Sequence, residues 1–192
     1  SSGILTITEL VQDILRPRIP PGSSVIDATA GNGNDTIFLA RCTGESGHVY
    51  AFDLQRVAID RTESRLHQEG LLARVRLINE NHRDMAQHLD ENAAGHVRAV
   101  MFNLGYLPDG DHQITTRSGD TVAAMSAALN LLCVGGLLAV VCYRGHPGGD
   151  EEAGDVETWS RDLPGAEYEV IEIRLHNRLK AAPFALIIRK AR

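Results

Sequence analysis

Cysteine is scarce in this chain of 192 residues: Cys42, Cys133 and Cys142 are the three. An odd number without metal-ligand spacing rules out a disulfide framework and a cysteine-built metal centre. They read as small core residues of a protein kept in a reducing compartment. No H-x-x-x-H spacing occurs either, so no metal is expected. Long apolar runs are missing, and with them any membrane span. No leader is visible, and Ser1-Ser2-Gly3 lacks an initiator methionine and reads as a trimmed start. The expected compartment is therefore the cytoplasm. Positive charge is in deficit, 19 Lys and Arg against 25 Asp and Glu, for a net charge of −6 at pH 7. A general nucleic-acid coat needs the opposite balance. A local basic surface stays open, because from Arg174 onward Arg174, Arg178, Lys180, Arg189, Lys190 and Arg192 occur with no acid among them. Repeats and low-complexity tracts are also absent. One domain over residues 1–192 is expected, with 1–22 as an N-terminal helix and linker.

What is present centres on Asp27-Ala28-Thr29-Ala30-Gly31-Asn32-Gly33-Asn34-Asp35-Thr36. The apolar pair Val25-Ile26 precedes it and Ile37-Phe38-Leu39-Ala40 follows, the pattern of a buried strand, a glycine turn and a helix start. Gly31 and Gly33 permit positive φ and leave no Cβ between the main chain and a ligand. Asp35 and Thr36 favour a helix start whose free N–H groups face that ligand. A dinucleotide turn wants G-x-G-x-x-G. Here Thr36 takes the third position and Asp27 closes the strand. An anionic pyrophosphate is repelled by Asp27, whereas the ammonium of S-adenosylmethionine (SAM) can pair with it, directly or through water. That change of charge favours SAM over a nicotinamide cofactor; the competing view is an ordinary turn with no ligand.

Alternating strand and helix signals predict a Rossmann-like α/β fold, mostly parallel, with helices on both faces of the sheet. Helical spacing covers Ile7 to Leu15, with Thr6 or Thr8 as cap. Strands are expected at Val25-Ile26, His48–Phe52, Val75–Ile78, Val97–Phe102 and Leu137–Tyr143. Helices should follow the glycine turn to about Arg41, then run over Gln55–Gln68 and over Thr115–Leu132, where Gly135-Gly136 should break the last. Arg144 to Glu152 reads as a glycine-rich loop before a helix through Val156, Trp159 and Leu163. Two successive final strands, Tyr168–Leu175 and Phe184–Ile188, suggest a C-terminal antiparallel hairpin, completing seven strands.

Ligands of open α/β sheets sit outside the C-terminal strand ends. Asp27, Asp53, Asn81, Asn103 and the Tyr143–His146 loop all fall at such ends. Asp53, about twenty residues past the glycine turn, is placed to reach ribose hydroxyls; the alternative is a helix cap. Asn81, His82 or Met85 could line an adenine, although a capping Asn and a core Met explain them as well. Asn103-Leu104-Gly105-Tyr106 resembles the polar-x-x-aromatic tetrad with which amino methyltransferases hold a nitrogen acceptor, lacking only its proline. Asp111, His112 and His146 are candidates to take a proton or bind a substrate amine, or else are simply solvated.

Three segments together resemble the small single-domain SAM-dependent methyltransferases often labelled rRNA methylases. These are Asp27 to Thr36, Phe102-Asn-Leu-Gly-Tyr-Leu-Pro-Asp-Gly-Asp111 and Tyr143-Arg-Gly-His-Pro-Gly-Gly-Asp-Glu151. The resemblance covers nearly the whole chain. Two positions depart from it: Asp109 stands where the family has glycine, and a late asparagine and double proline survive as Asn177 and Pro183. The resemblance implies a class I methyltransferase fold with SAM as cofactor. It implies a cofactor site of Asp27, Gly31, Asn32, Gly33, Asp35 and Asp53. Thr36, Gln55, Asn81, His82 and Asn103 join these as cofactor candidates. Asn103, Tyr106, Asp111 and His146 are expected around the acceptor. For substrate it implies tRNA, at the anticodon stem-loop, where the aminomethyl group of 5-aminomethyl-2-thiouridine at the wobble position is N-methylated. A homodimer is a further family-level expectation. A small-molecule or rRNA methyltransferase, and a non-catalytic RNA-binding module with a vestigial pocket, remain the alternatives.

Overall fold

The computed structural model describes residues 6–105, 118–178 and 182–192. Its centre is one seven-stranded sheet. The strands are β1 (Ser24–Asp27), β2 (His48–Phe52), β3 (Val75–Ile78), β4 (Val97–Leu104), β5 (Leu132–Cys142), β6 (Tyr168–Arg174) and β7 (Phe184–Lys190). They lie in the order β3-β2-β1-β4-β5-β7-β6. The first five are parallel, and β7 runs antiparallel to both β5 and β6. The expected final hairpin is therefore present, with β7 inserted between β5 and β6.

Helices cover both faces, which is why the central strands read as continuous apolar runs. One face carries α1 (Ile7–Leu15), α2 (Asn34–Thr43) and α3 (Arg56–Gln68). Its core joins Val11 and Leu15 to Leu39, Leu66, Val25 and Ala139. The other carries α4 (Ser118–Leu131) and α5 (Gly149–Arg161), with Met125, Leu129 and Val156 packed on Phe102, Leu138 and Phe184. Among the described residues no helix is long and apolar enough to cross a membrane. α1 starts on a capping box: the Thr6 hydroxyl accepts from Glu9 N, and the Glu9 carboxylate accepts from Thr6 N.

Three boundaries differ from expectation. Gly135-Gly136 do not stop a helix. α4 ends at Leu131, β5 begins at once, and the pair lies inside it. Pairing with β4 slips there, from Val97↔Leu132 to Ala99↔Leu137. Gly135 takes φ +85 and a Cβ on Gly136 would sit 2.9 Å from the Cys133 carbonyl, so the pair forms a bulge that re-aims the strand. β4 runs through Asn103 to Leu104, because Asn103 still pairs with Val141. α5 starts at Gly149 and absorbs Asp150, Glu151 and Glu152 as its first turn, where the helix dipole favours acids.

Candidate functional site

The chain leaves β1 for one side of the sheet and β4 for the other, since β2 and β4 flank β1. That reversal opens a crevice at the carboxyl ends of β1 and β4. The turn after β1 is stitched across it: Ala28 N donates to the Met101 carbonyl and Ala30 N to the Phe52 carbonyl, both at 2.8 Å. Asn103 N donates to Thr29 Oγ1 at 2.7 Å. The glycine turn and Asn103, the first residue of the tetrad, are thus in direct contact.

Asp27 is fully buried. Its Oδ1 accepts from Thr29 N at 3.1 Å and its Oδ2 from Thr36 Oγ1 at 2.6 Å. The residue standing where a third glycine would be is therefore a hydroxyl donor to the strand-end carboxylate. Burial pushes the Asp27 carboxyl up to about 7; the nearby Asp35 charge adds to this, and the two hydrogen bonds oppose it. Asp35, in the first turn of α2 and 5% exposed, is likewise raised by burial and held back by a bond from Gln12 Nε2 at 3.0 Å. Asp53 is raised by burial too, with its Oδ1 accepting from Gln55 N and its Oδ2 from Gly31 N, each at 2.9 Å. It stands two residues before Gln55, the cap residue of α3, where it turns the chain into that helix and grips the glycine turn.

Gly31 (φ +55) and Gly33 (φ +88) take the left-handed backbone expected of them. A Cβ on Gly33 would come within 3.2–3.3 Å of Thr62. α3 clamps this turn from outside, for Thr62 Oγ1 donates to the Gly31 carbonyl at 3.3 Å. Arg65 Nη1 donates to Asn32 O and Asn34 Oδ1, both at 2.7 Å.

At the end of β3, Asn81 accepts from Arg83 N and donates to Asp120 Oδ2 of α4. It is a capping and cross-linking residue, as the competing reading had it. His82 is 3% exposed, with Nδ1 donating to the Ala28 carbonyl at 2.9 Å and its ring 5.3 Å from that of Phe102. Burial lowers its pKa and keeps it neutral. It braces the turn from beneath, and Met85 is fully buried core. Gln55 is buried beside Asp53 at the start of α3.

On the acceptor side Asn103 is half-buried. A Cβ on Gly105 would lie 3.3 Å from the Tyr143 ring and 3.8 Å from Asn103 Oδ1, so glycine is what allows tetrad and ring to meet. The half-buried His146 packs over Gly149, where a Cβ would fall 2.7 Å from its ring. Tyr106, Asp111 and His112 lie outside the described residues. Three basic side chains of the C-terminal stretch, Arg174, Arg189 and Lys190, are engaged within the chain. Arg174 pairs with Glu157 and Glu172 and lies over the Phe184 ring, and Arg189 pairs with Glu169 at 3.4 Å. Lys190 Nζ donates to the carbonyls of Leu129 and Leu132. Gln12, Thr29, Thr62 and Arg65 were not anticipated as site residues; each acts across at least 23 residues of chain.

Sheet order, terminal hairpin and strand-end site define the class I methyltransferase fold. A family described as "Putative rRNA methylase" matches residues 49–189; the chain belongs to this family. A tRNA (mnm(5)s(2)U34)-methyltransferase, chloroplastic, of Arabidopsis thaliana is 41% identical over 179 residues, 89% of this chain and 65% of that protein. The chain thus spans just under two thirds of that relative's length. A crystal structure from Clostridium thermocellum with the same description as the family superposes with a TM-score of 0.91 at 39% identity, covering 97% of this chain and 98% of that one. A Streptococcus mutans protein solved in complex with SAH gives a TM-score of 0.85 at 34% identity, covering 97% and 99%.

Proposed function

We propose that the protein is a SAM-dependent methyltransferase that N-methylates the aminomethyl group of 5-aminomethyl(-2-thio)uridine at the wobble position of tRNA. The observation that carries this is the junction at the β1–β4 reversal. There two buried carboxylates, Asp27 and Asp35, and the half-buried Asp53 gather on one glycine turn whose Thr29 is bonded to Asn103. This donor set fits SAM. Buried acids with no cation paired to them among the described residues suit an ammonium, Asp53 beside Gly31 suits a ribose diol, and glycines leave room for the main chain to approach. SAM supplies an electrophilic methyl on a sulfonium when bound. The chain's residues then have to hold a neutral amine in line with it, since positioning supplies most of the rate. Asn103 Oδ1 is the group that can accept an amine hydrogen, and Tyr106, Asp111 and His146 belong to the same reading. Asn103 and the loop groups would hold the nitrogen lone pair toward that methyl, and the proton shed by the methylated amine would pass to solvent.

The Arabidopsis relative supports tRNA as substrate, and a chain of net charge −6 suits recognition of an anticodon stem-loop by shape with few phosphate contacts. The whole chain, residues 1–22 included, acts as one domain in this reading. A homodimer is part of it as well, with the exposed Ile171 (57%) and Val170 on edge strand β6 as the surface to be covered. Labelled SAM, purified protein and tRNA bearing the unmethylated wobble base test the proposal. Mass spectrometry should show one added methyl at position 34; label in rRNA instead, or in neither, refutes it.

A further inference from the structure

α1 does more than fill a face of the sheet. Ile7, Val11 and Leu15 are its buried residues and join the core on that face. Yet it also sends two polar side chains to the crevice. Gln12 Nε2 donates to Asp35 Oδ1 at 3.0 Å across 23 residues of sequence. Thr8 Oγ1 lies 3.1 Å from the Tyr143 hydroxyl across 135, and the Tyr143 ring in turn rests on Gly105 beside Asn103. One helix therefore touches the acidic side and the acceptor side of the same cleft.

The chemistry of the Gln12 contact is informative. Asp35 is buried and repels the neighbouring Asp27. A lysine or arginine would relieve both carboxylates by cancelling charge. A neutral amide instead satisfies one oxygen and leaves the negative charge in place. Such an arrangement costs stability and is useful where a cation arrives later.

We propose that α1 is a working wall of the methyl-donor site, with Gln12 the positioning residue that orients the Asp35 carboxylate beside Asp27 for the ammonium of the donor's methionine end. This rests on the reading of Asp27 and Asp35 as the ammonium-binding pair. Calorimetry on the full chain with SAH and with 5′-methylthioadenosine, which lacks the amino-acid end, separates the possibilities. Gln12→Ala should weaken SAH roughly tenfold, as loss of a hydrogen bond to a charged group does, and leave methylthioadenosine unchanged. Gln12→Lys keeps a donor but cancels the charge, so it should fail to restore SAH affinity even where it restores the melting temperature. Asp13→Ala, on the exposed side of the same helix and paired with Arg16, should bind both ligands as the parent does. Equal loss of both ligands in Gln12→Ala, no loss of either, or rescue of SAH by lysine overturns the proposal. Failure of the underlying pair shows separately, as an Asp27→Asn variant that binds SAH with undiminished affinity.

Discussion

Replacing Asp27 by asparagine should make the protein more stable at alkaline pH while it loses its methyl donor. Burial raises this carboxyl from 3.8 to about 7. A group raised in the folded state holds its proton there after the unfolded chain has released it. Stability therefore falls as pH rises from about 4 to about 7, and the full penalty persists above that window. At about 1.4 kcal/mol per pH unit, the gap from 3.8 to about 7 amounts to about 4 kcal/mol at pH 8. The asparagine oxygen can still accept from Thr29 N, and its amide can donate to Thr36 Oγ1. Those neutral bonds are weaker than charge-assisted ones, taking back about 2 kcal/mol. The net gain at pH 8 is about 2 kcal/mol, or roughly 4–8 °C in Tm for a chain of this size. At pH 5 the ionisation penalty has fallen below about 2 kcal/mol, no more than the weaker bonds take back, and the gain should vanish or change sign. Thermal unfolding of both proteins at pH 5 and pH 8, with calorimetric titration of SAH at pH 8, measures all of this. The parent should also release a proton on binding SAH near pH 6, as the ligand's ammonium draws Asp27 back toward its ordinary range. Equal destabilisation at both pH values, or undiminished SAH affinity in the variant, refutes the electrostatic reasoning.

Other expectations follow from single contacts. Gly33→Ala forces a left-handed alanine against Thr62 at 3.2–3.3 Å, a strain of about 1–2 kcal/mol; SAH affinity should fall at least about tenfold, seen by calorimetry. Gly149→Ala would drive a methyl to 2.7 Å from the His146 ring. Displacing that ring should lower kcat on tRNA roughly 10- to 100-fold and leave SAH binding intact. Lys190→Met removes two bonds to the end of α4 and the start of β5, costing about 2 kcal/mol in denaturant unfolding. The salt dependence of tRNA binding should not change, because that ammonium is spent inside the protein.

The strands were legible because helices on both faces demand apolar runs, and Val49–Phe52 and Val97–Phe102 have no other explanation. The glycine turn was legible because positive φ at Gly31 and Gly33 leaves a compositional mark. Gly135-Gly136 carries the same mark as a helix stop or as a bulge, and only pairing with β4 decides between them. Asn103 looked like the first loop residue, yet its register with Val141 keeps it in the strand. The clamp on the turn left no trace at all. Thr62 and Arg65 sit on a helix whose sequence carries no mark of the turn they hold, and Gln12 meets Asp35 only after α1 has folded back over the sheet.

The reversed course of β7 has a practical consequence. Phe184 lies opposite Cys142 near the crevice, and Arg189 opposite Leu137 at the far margin, about 17 Å away at the usual rise per residue. The segment that follows β7 thus lies on the side of the sheet remote from the crevice. A fluorophore or surface tether attached at Arg192 should leave turnover untouched and hold the reactive rim outward, toward whatever polymer is offered to it.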